Sequence, residues 1–292
     1  MTSSPRARRF DWNNLRIRLI SAFAIIPAVV AGVTLGGWWY VLLISIVGVL
    51  LAREWARLVA PGAPIRVGVA IGLPVIGAIV LSHLSGMASR AGSPDAATWW
   101  MATWGVVVVG AGLSALVARG LTAKVPDAAY GVIYIAPAGI AMIWLRDMPG
   151  GAPWTVYLFA VTWWTDIMAF AVGSALKGPK LWPSVSPKKT WSGFFGGLFG
   201  AVLTAVIVLL IARAFDQGFI GLPGAMLVGL LTGLATMAGD LWESMLKRRF
   251  GVKDTGGLIP GHGGMLDRVD GLMFAVMVVA AARLIQHWGR GI

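Results

Sequence analysis

GFFGGLFGAVLTAVIVLLIA, residues 193–212, runs for twenty positions without a charged side chain. As an α-helix rising 1.5 Å per residue it would be about 30 Å long, the thickness of a bilayer's hydrocarbon core. Lys188 and Lys189 precede the run and Arg213 follows it, so a membrane span bounded by cations is the expected element. Working outward, comparable runs lie near Leu19–Gly36, Trp38–Leu58, Val67–Leu84, Ala97–Ala118, Ala129–Leu145, Trp154–Leu176, Phe219–Met245 and Gly271–Gln286. The 292 residues are 58% hydrophobic and 12% charged, with mean hydropathy +0.79, whereas soluble domains carry about 25% charged residues. An ordinary soluble protein is excluded. The expected fold is an all-α polytopic integral membrane protein with about nine transmembrane helices.

The first run passes Pro27 into Leu35 and Gly36 without an A-x-A site and is soon followed by a second span, so a cleaved signal peptide is not expected. Basic residues test the span count. With Arg6, Arg8, Arg9, Arg16 and Arg18 in the cytoplasm, a nine-span topology puts nineteen of the 24 Lys and Arg on that side. Only Arg90, Arg146, Arg213, Arg283 and Arg290 fall opposite. The N-terminus is therefore expected in the cytoplasm and the C-terminus on the opposite side. The net charge of +12 then needs no nucleic-acid partner, because it gathers where anionic headgroups and cytosolic phosphates lie. No internal repeat divides the chain, and a single membrane domain over 1–292 is expected. It comprises a basic arm (1–18), N-terminal helices (19–145), and C-terminal helices and loops carrying the candidate chemistry (146–292). With no cysteine, thiolate nucleophiles, disulfides and Cys-ligated metals are excluded.

Two polar stretches interrupt the apolar runs. The eighth span ends GDLWESMLKRRF from Gly239, which sets Asp240, Glu243, Ser244 and Lys247 on one helix face. Glu243 and Lys247 read equally well as an internal i,i+4 pair. Asp240 has no such local partner, and a carboxylate at membrane depth usually faces a cavity or a cation. The following loop, GVKDTGGLIPGHGGMLDRVDG from Gly251, combines Gly256, Gly257, Gly261, Gly263 and Gly264 with Lys253, His262 and Arg268. Glycines of this kind bring backbone N–H groups close to an anion. Asp267 and Asp270, three apart at a helix start, share a face, with helix capping as the plainer reading. Together with Asp240 they form an all-oxygen set suited to Mg²⁺, which is commonly held by one or two carboxylates plus substrate phosphates.

The second stretch, KGPKLWPSVSPKKTWSG from Lys177, offers Ser186, Lys188, Lys189 and Thr190 to phosphate oxygens, or else is a turn with topology-setting cations. Asp166 stands mid-way in the sixth span and is a further candidate metal ligand. Gly173–Lys180 resembles a P-loop only loosely, since Pro179 breaks the Gly-Lys pair. His83 and His287 read as packing or interfacial residues, and the fifteen tryptophans as an interfacial belt.

The run from Ser244 to Asp270 resembles the signature of the phosphatidate cytidylyltransferase (CDP-diacylglycerol synthase) family. It carries Ser244, Lys247-Arg248, Lys253-Asp254, Gly256, Pro260, His262-Gly263-Gly264 and Asp267-Arg268-Val269-Asp270 without insertion. Ser186-Pro187-Lys188-Lys189-Thr190-Trp191 and Gly239-Asp240-Leu241 are similar to the family as well. Ser192 stands where the family commonly has an acid, and Phe170 where it often has Tyr. The resemblance implies transfer of the cytidylyl group of CTP to phosphatidic acid, giving CDP-diacylglycerol and pyrophosphate with Mg²⁺, a second cation being left open. It implies catalytic roles for Asp240, Lys253, Asp254, His262, Asp267, Arg268 and Asp270. Asp240 and Asp267 would be the metal ligands, supported by Asp270. Ser186, Lys188, Lys189, Thr190, Ser244, Lys247, Arg248, Gly263 and Gly264 would bind substrate, with Lys188 and Ser186 nearer the lipid phosphate. His262 either orients a phosphate or serves the loop backbone. A bacterial inner (cytoplasmic) membrane with the site facing the cytoplasm is expected, and a homodimer is a partner the resemblance allows. An isoprenoid lipid acceptor would share most of the loop chemistry. An ion-coupled transporter would explain Asp166 and Asp240 but not the Gly-rich loop and its cations.

Overall fold

The computed structural model describes residues 27–121, 124–258 and 263–289. A helical segment over 27–35 (α1) precedes α2 (Gly37–Val59), α3 (Pro64–Arg90), α4 (Asp95–Val117), α5 (Pro126–Asp147) and α6 (Gly151–Leu176). A hairpin of β1 (Lys180–Trp182) and β2 (Ser186–Thr190) leads into α7 (Trp191–Ala214), α8 (Leu222–Arg249) and α9 (Leu266–Gly289). The seven helices α3 to α9 are each long and apolar enough to cross a membrane. Each coincides with an expected span, and α2 occupies the second expected position. The chain is an all-α polytopic membrane protein with one small hairpin, which the sequence reading did not anticipate.

The helix starts follow from local chemistry. Pro64, Pro126 and Pro223 sit in first turns, where a missing N–H costs nothing. Between α1 and α2 the chain turns through Gly36 and Gly37, both at positive φ (63° and 52°). Hydrophobic burial does not drive helix association inside lipid, so close packing of small residues has to. Along α6 and α7 it does. A Cβ on Gly193 would lie 2.7 Å from the Ala169 carbonyl oxygen, and one on Gly197 3.0 Å from that of Thr165. The opposite face of α7 presents Phe195, Phe199, Leu203 and Leu210 outward, as a lipid-facing surface should.

The halves of the chain share one core, in which Trp55, Ile71, Val132, Leu158 and Ala275 are buried together. α5 packs on α9, and α9 on α8. At the end away from the polar loops, buried His83 places Nδ1 2.6 Å from Asp147 Oδ2 and meets Trp38 edge-on. His287 is half-buried in the last turn of α9.

Candidate active site

Backbone proximity between α8 and α9 builds the site. At Gly239 any Cβ would run into the Asp270 carbonyl oxygen, and Gly271 would meet the Thr236 carbonyl oxygen at 3.0 Å. This contact draws Asp240 of α8 toward Asp270 of α9. The two carboxylates are within electrostatic reach of each other and of Asp166 from α6. Lys189, at the end of β2, reaches into the cluster with Nζ 2.5 Å from Asp240 Oδ2. It also acts on Asp166 and Asp270, and Arg268 acts on Asp166. Five charged groups from α6, β2, α8 and α9 thus converge.

Asp267 is placed differently. Its Oδ2 accepts from Thr255 N (3.2 Å), Thr255 Oγ1 (3.0 Å) and Gly264 N (3.0 Å), and its Oδ1 from Lys247 Nζ (2.8 Å). Lys247 also ion-pairs with buried Glu243, the i,i+4 pair anticipated from sequence. Both oxygens of Asp267 are therefore taken by protein donors. Asp267 and Lys247 thus form a latch between loop and helix, while Asp166, Asp240 and Asp270 stand within electrostatic reach of one another.

The Gly-rich loop is likewise turned inward. Gly264 N donates to Asp267, while Met265 N and Leu266 N donate to Oε1 and Oε2 of Glu54 at 2.9 and 2.8 Å. The anions cradled by the N–H groups of Gly264, Met265 and Leu266 are the protein's own carboxylates. Gly263 adopts φ 88°, a conformation L side chains resist. Lys253 and Asp254 are exposed in the loop, and Ser244 is half-buried on α8. His262 lies outside the described residues.

In the hairpin, Lys180 pairs with Thr190 and Trp182 with Ser186. Ser186 is half-buried and Lys188 exposed, so Lys189 rather than Lys188 enters the cluster. Thr190 Oγ1 caps α7 by accepting from Gly193 N at 3.2 Å. Ser192, in place of an acid, bonds Thr190 Oγ1 (3.1 Å) and the Lys177 carbonyl oxygen. Arg248 Nε donates to the Val185 carbonyl oxygen at 3.5 Å, tying α8 to the hairpin. Phe170 is exposed on α6.

Beside the cluster lies a cavity of about 560 Å³ bounded by α1, α2, α5, α6 and α9. Its lining is apolar, with Val47, Ile135, Phe159, Ile167 and Leu272 typical, except for Asp166 and Arg268. These two belong at once to the apolar cavity and to the charged cluster.

Sequence reasoning missed Glu54, Thr255 and Asp127. Asp127 is buried in the first turn of α5 and ion-paired with Arg249.

Fold and site together define a polytopic membrane protein in which charged side chains from four elements gather beside an apolar cavity. The chain belongs to the cytidylyltransferase family, which it matches over residues 16–285. A phosphatidate cytidylyltransferase of Pseudomonas aeruginosa is 34% identical over 277 residues, 94% of this chain and 99% of that protein. One from Brucella abortus is 44% identical over 162 residues, and one from Staphylococcus epidermidis 37% over 151. In each of these last two, the match covers 56% of the relative, so the chain spans about half its length.

Proposed function

We propose that the protein transfers the cytidylyl group of CTP to phosphatidic acid, forming CDP-diacylglycerol and pyrophosphate. The observation that carries this reading is the placement of Asp166 and Arg268 on both the apolar cavity and the charged cluster. Acyl chains lie in the cavity, and the lipid phosphate is delivered beside Arg268. The names of the relatives, phosphatidate cytidylyltransferases, agree with that assignment. The transporter reading is not favoured, nor is an isoprenoid acceptor.

A phosphatidate oxygen forms a bond to the α-phosphorus of CTP while the bond from that phosphorus to the bridging oxygen breaks and pyrophosphate departs. The attacking oxygen is already anionic, so no strong general base is needed. Positioning and charge neutralisation lower the barrier. Lys189 and Arg268 supply the neutralising charge within the cluster, and exposed Lys253 is available to the nucleotide's distal phosphates.

Mg²⁺ fits the donor chemistry of the site. Asp166, Asp240 and Asp270 would hold it, offering hard carboxylate oxygens of the kind it takes alongside phosphate oxygens. Among the described residues no three His, Cys, Asp or Glu side chains converge closely enough to hold an ion by themselves. When bound, it would offset the negative charge of the phosphates facing the carboxylates. The charged cluster faces the cytoplasm of a bacterial inner membrane in this reading, as the Lys and Arg bias of the loops supports. Purified protein incubated with labelled CTP, phosphatidic acid and Mg²⁺ should yield a labelled lipid and pyrophosphate, and a chelator should suppress both. Folded protein that yields no labelled lipid would refute the assignment.

A further inference from the structure

The carboxylate of Glu54 is fully buried near the end of α2, and no Lys, Arg or His forms an ion pair with it among the described residues. Its partners lie more than 200 positions away. Oε1 accepts from Met265 N, and Oε2 from Leu266 N and, at 3.4 Å, from Thr255 Oγ1. Leu266 is the first residue of α9, and Met265 before it has no side-chain acceptor with which to cap a helix. Glu54 accepts from the backbone N–H groups of Met265 and Leu266 that open α9, and its carboxylate sits where the dipole of α9 favours one. The loop is shaped to admit it. A Cβ on Gly264 would collide with Thr255 Oγ1 and come within 2.9 Å of both Glu54 Oε2 and Asp267 Oδ2, and one on Gly256 would meet Glu54 Oε1 at 3.0 Å.

A cap that serves stability alone could be a local Ser, Thr or Asp. This one fixes where α9 begins relative to α2, and the first turns of α9 carry Asp267, Arg268 and Asp270. We propose that Glu54 is a positioning residue for cytidylyl transfer, holding the loop and the start of α9 so that Arg268 and Asp270 face Asp166, Asp240 and Lys189. The proposal rests on the function assigned above and adds a residue from the N-terminal half to it. Glu54 acts through α9 and does not touch the substrates.

The test uses the full chain in detergent and the variants Glu54→Gln and Gly264→Ala, each checked for folding by size exclusion and thermal transition. Gln retains the size of Glu but turns an N–H₂ toward backbone N–H donors. The kcat of Glu54→Gln should fall at least tenfold, and the KM for phosphatidic acid should rise with it, because Met265, Arg268 and Val269 at the start of α9 line the apolar cavity. Trypsin should cleave after exposed Lys253 several times faster than in the parent protein. Gly264→Ala, which disturbs the same contact from the loop side, should share this pattern. The double variant should lose no more than the worse single one. Folded Glu54→Gln with parental kcat and cleavage rate would overturn the proposal, as would a lower thermal transition with unchanged turnover per folded molecule. Should Glu54→Gln not fold, unchanged kcat in Gly264→Ala would overturn it equally. Absence of labelled lipid from the parent protein would refute the assigned reaction instead, while the tryptic comparison still reports whether Glu54 holds the loop.

Discussion

The ammonium of Lys189 lies 2.5 Å from Asp240 Oδ2, joining the hairpin to α8 at the point where Asp240 meets Asp166 and Asp270. Three carboxylates within electrostatic reach of one another repel. One cation from the protein offsets part of that charge. A metal ion or the positive side chains around a bound nucleotide would offset more, so the arrangement is poised to admit an anionic substrate together with a cation.

Lys189→Ala should therefore lower turnover by about 10²-fold, the usual cost of deleting one preorganised charge donor. Lys188→Ala, at an exposed position one residue earlier, should stay within about threefold of the parent protein on the same grounds. Initial rates of labelled lipid formation decide between them. Equal losses in both variants would mean that the hairpin contributes general positive charge rather than one placed ammonium.

Asp267→Asn should act on stability first. An amide replaces an acceptor of three donors and the partner of Lys247, and hydrogen bonds to charged groups are each worth about 1.5–3 kcal/mol. A loss of about 2–3 kcal/mol corresponds to roughly 5–10 °C in the thermal transition of a protein of this size. Asp240→Asn, whose side chain is 39% exposed, should leave the transition within about 2 °C and remove most of the turnover. Thermal melts paired with rates per folded molecule separate the roles. The assignment of Asp267 as a latch fails if its variant melts like the parent.

The spans were legible because an apolar run of about 20 residues has few alternatives to a membrane helix. The Gly239-Asp240 and Asp270-Gly271 pairs were legible as polar islands, though not as the two sides of one helix contact. The hairpin was hidden because Pro183 and Pro187 read as turns; its closure depends on Lys180 meeting Thr190 and on Trp191 N reaching the Pro179 carbonyl oxygen. Helical spacing places Asp267 and Asp270 on one face, yet the preceding loop folds back onto Asp267 alone. Glu54 sits between Arg53 and Arg57, where a local i,i+3 partner would satisfy it, and nothing in the spacing points to Met265 or Leu266. Local periodicity reports elements and faces; it does not report which loop closes over which carboxylate.

Removal of divalent cations with a chelator should abolish turnover, and added Mg²⁺ should restore it. Asp166 has no hydrogen-bond or ion-pair partner among the described residues, so Asp166→Asn should leave the fold intact. If this carboxylate contributes to a metal site, its loss should raise the Mg²⁺ concentration for half-maximal activity by about 10-fold or more, as altered ligand shells commonly do. Titration of activity with Mg²⁺ for both proteins gives the comparison. Superimposable titrations would remove Asp166 from the metal set and leave it a role beside the lipid phosphate.

The apolar cavity makes a separate claim, that acyl chains and nucleotide are bound by different surfaces. Val47 of α2 lines it, as do Ile135 of α5 and Leu272 of α9, while Lys253 lies on the exposed loop. Val47→Trp would fill part of the roughly 560 Å³ with an indole and displace lipid methylenes, each worth about 0.8 kcal/mol when buried. Loss of two such groups corresponds to an increase of about 10-fold in the KM for phosphatidic acid. The KM for CTP should change by less than about twofold, since uniform binding of the lipid alone is removed. Steady-state rates with each substrate varied against saturating amounts of the other measure both constants. A rise in the KM for CTP alone would assign the cavity to the nucleotide, and a lipid KM that ignores the indole would place the acyl chains on the outer surface of the bundle.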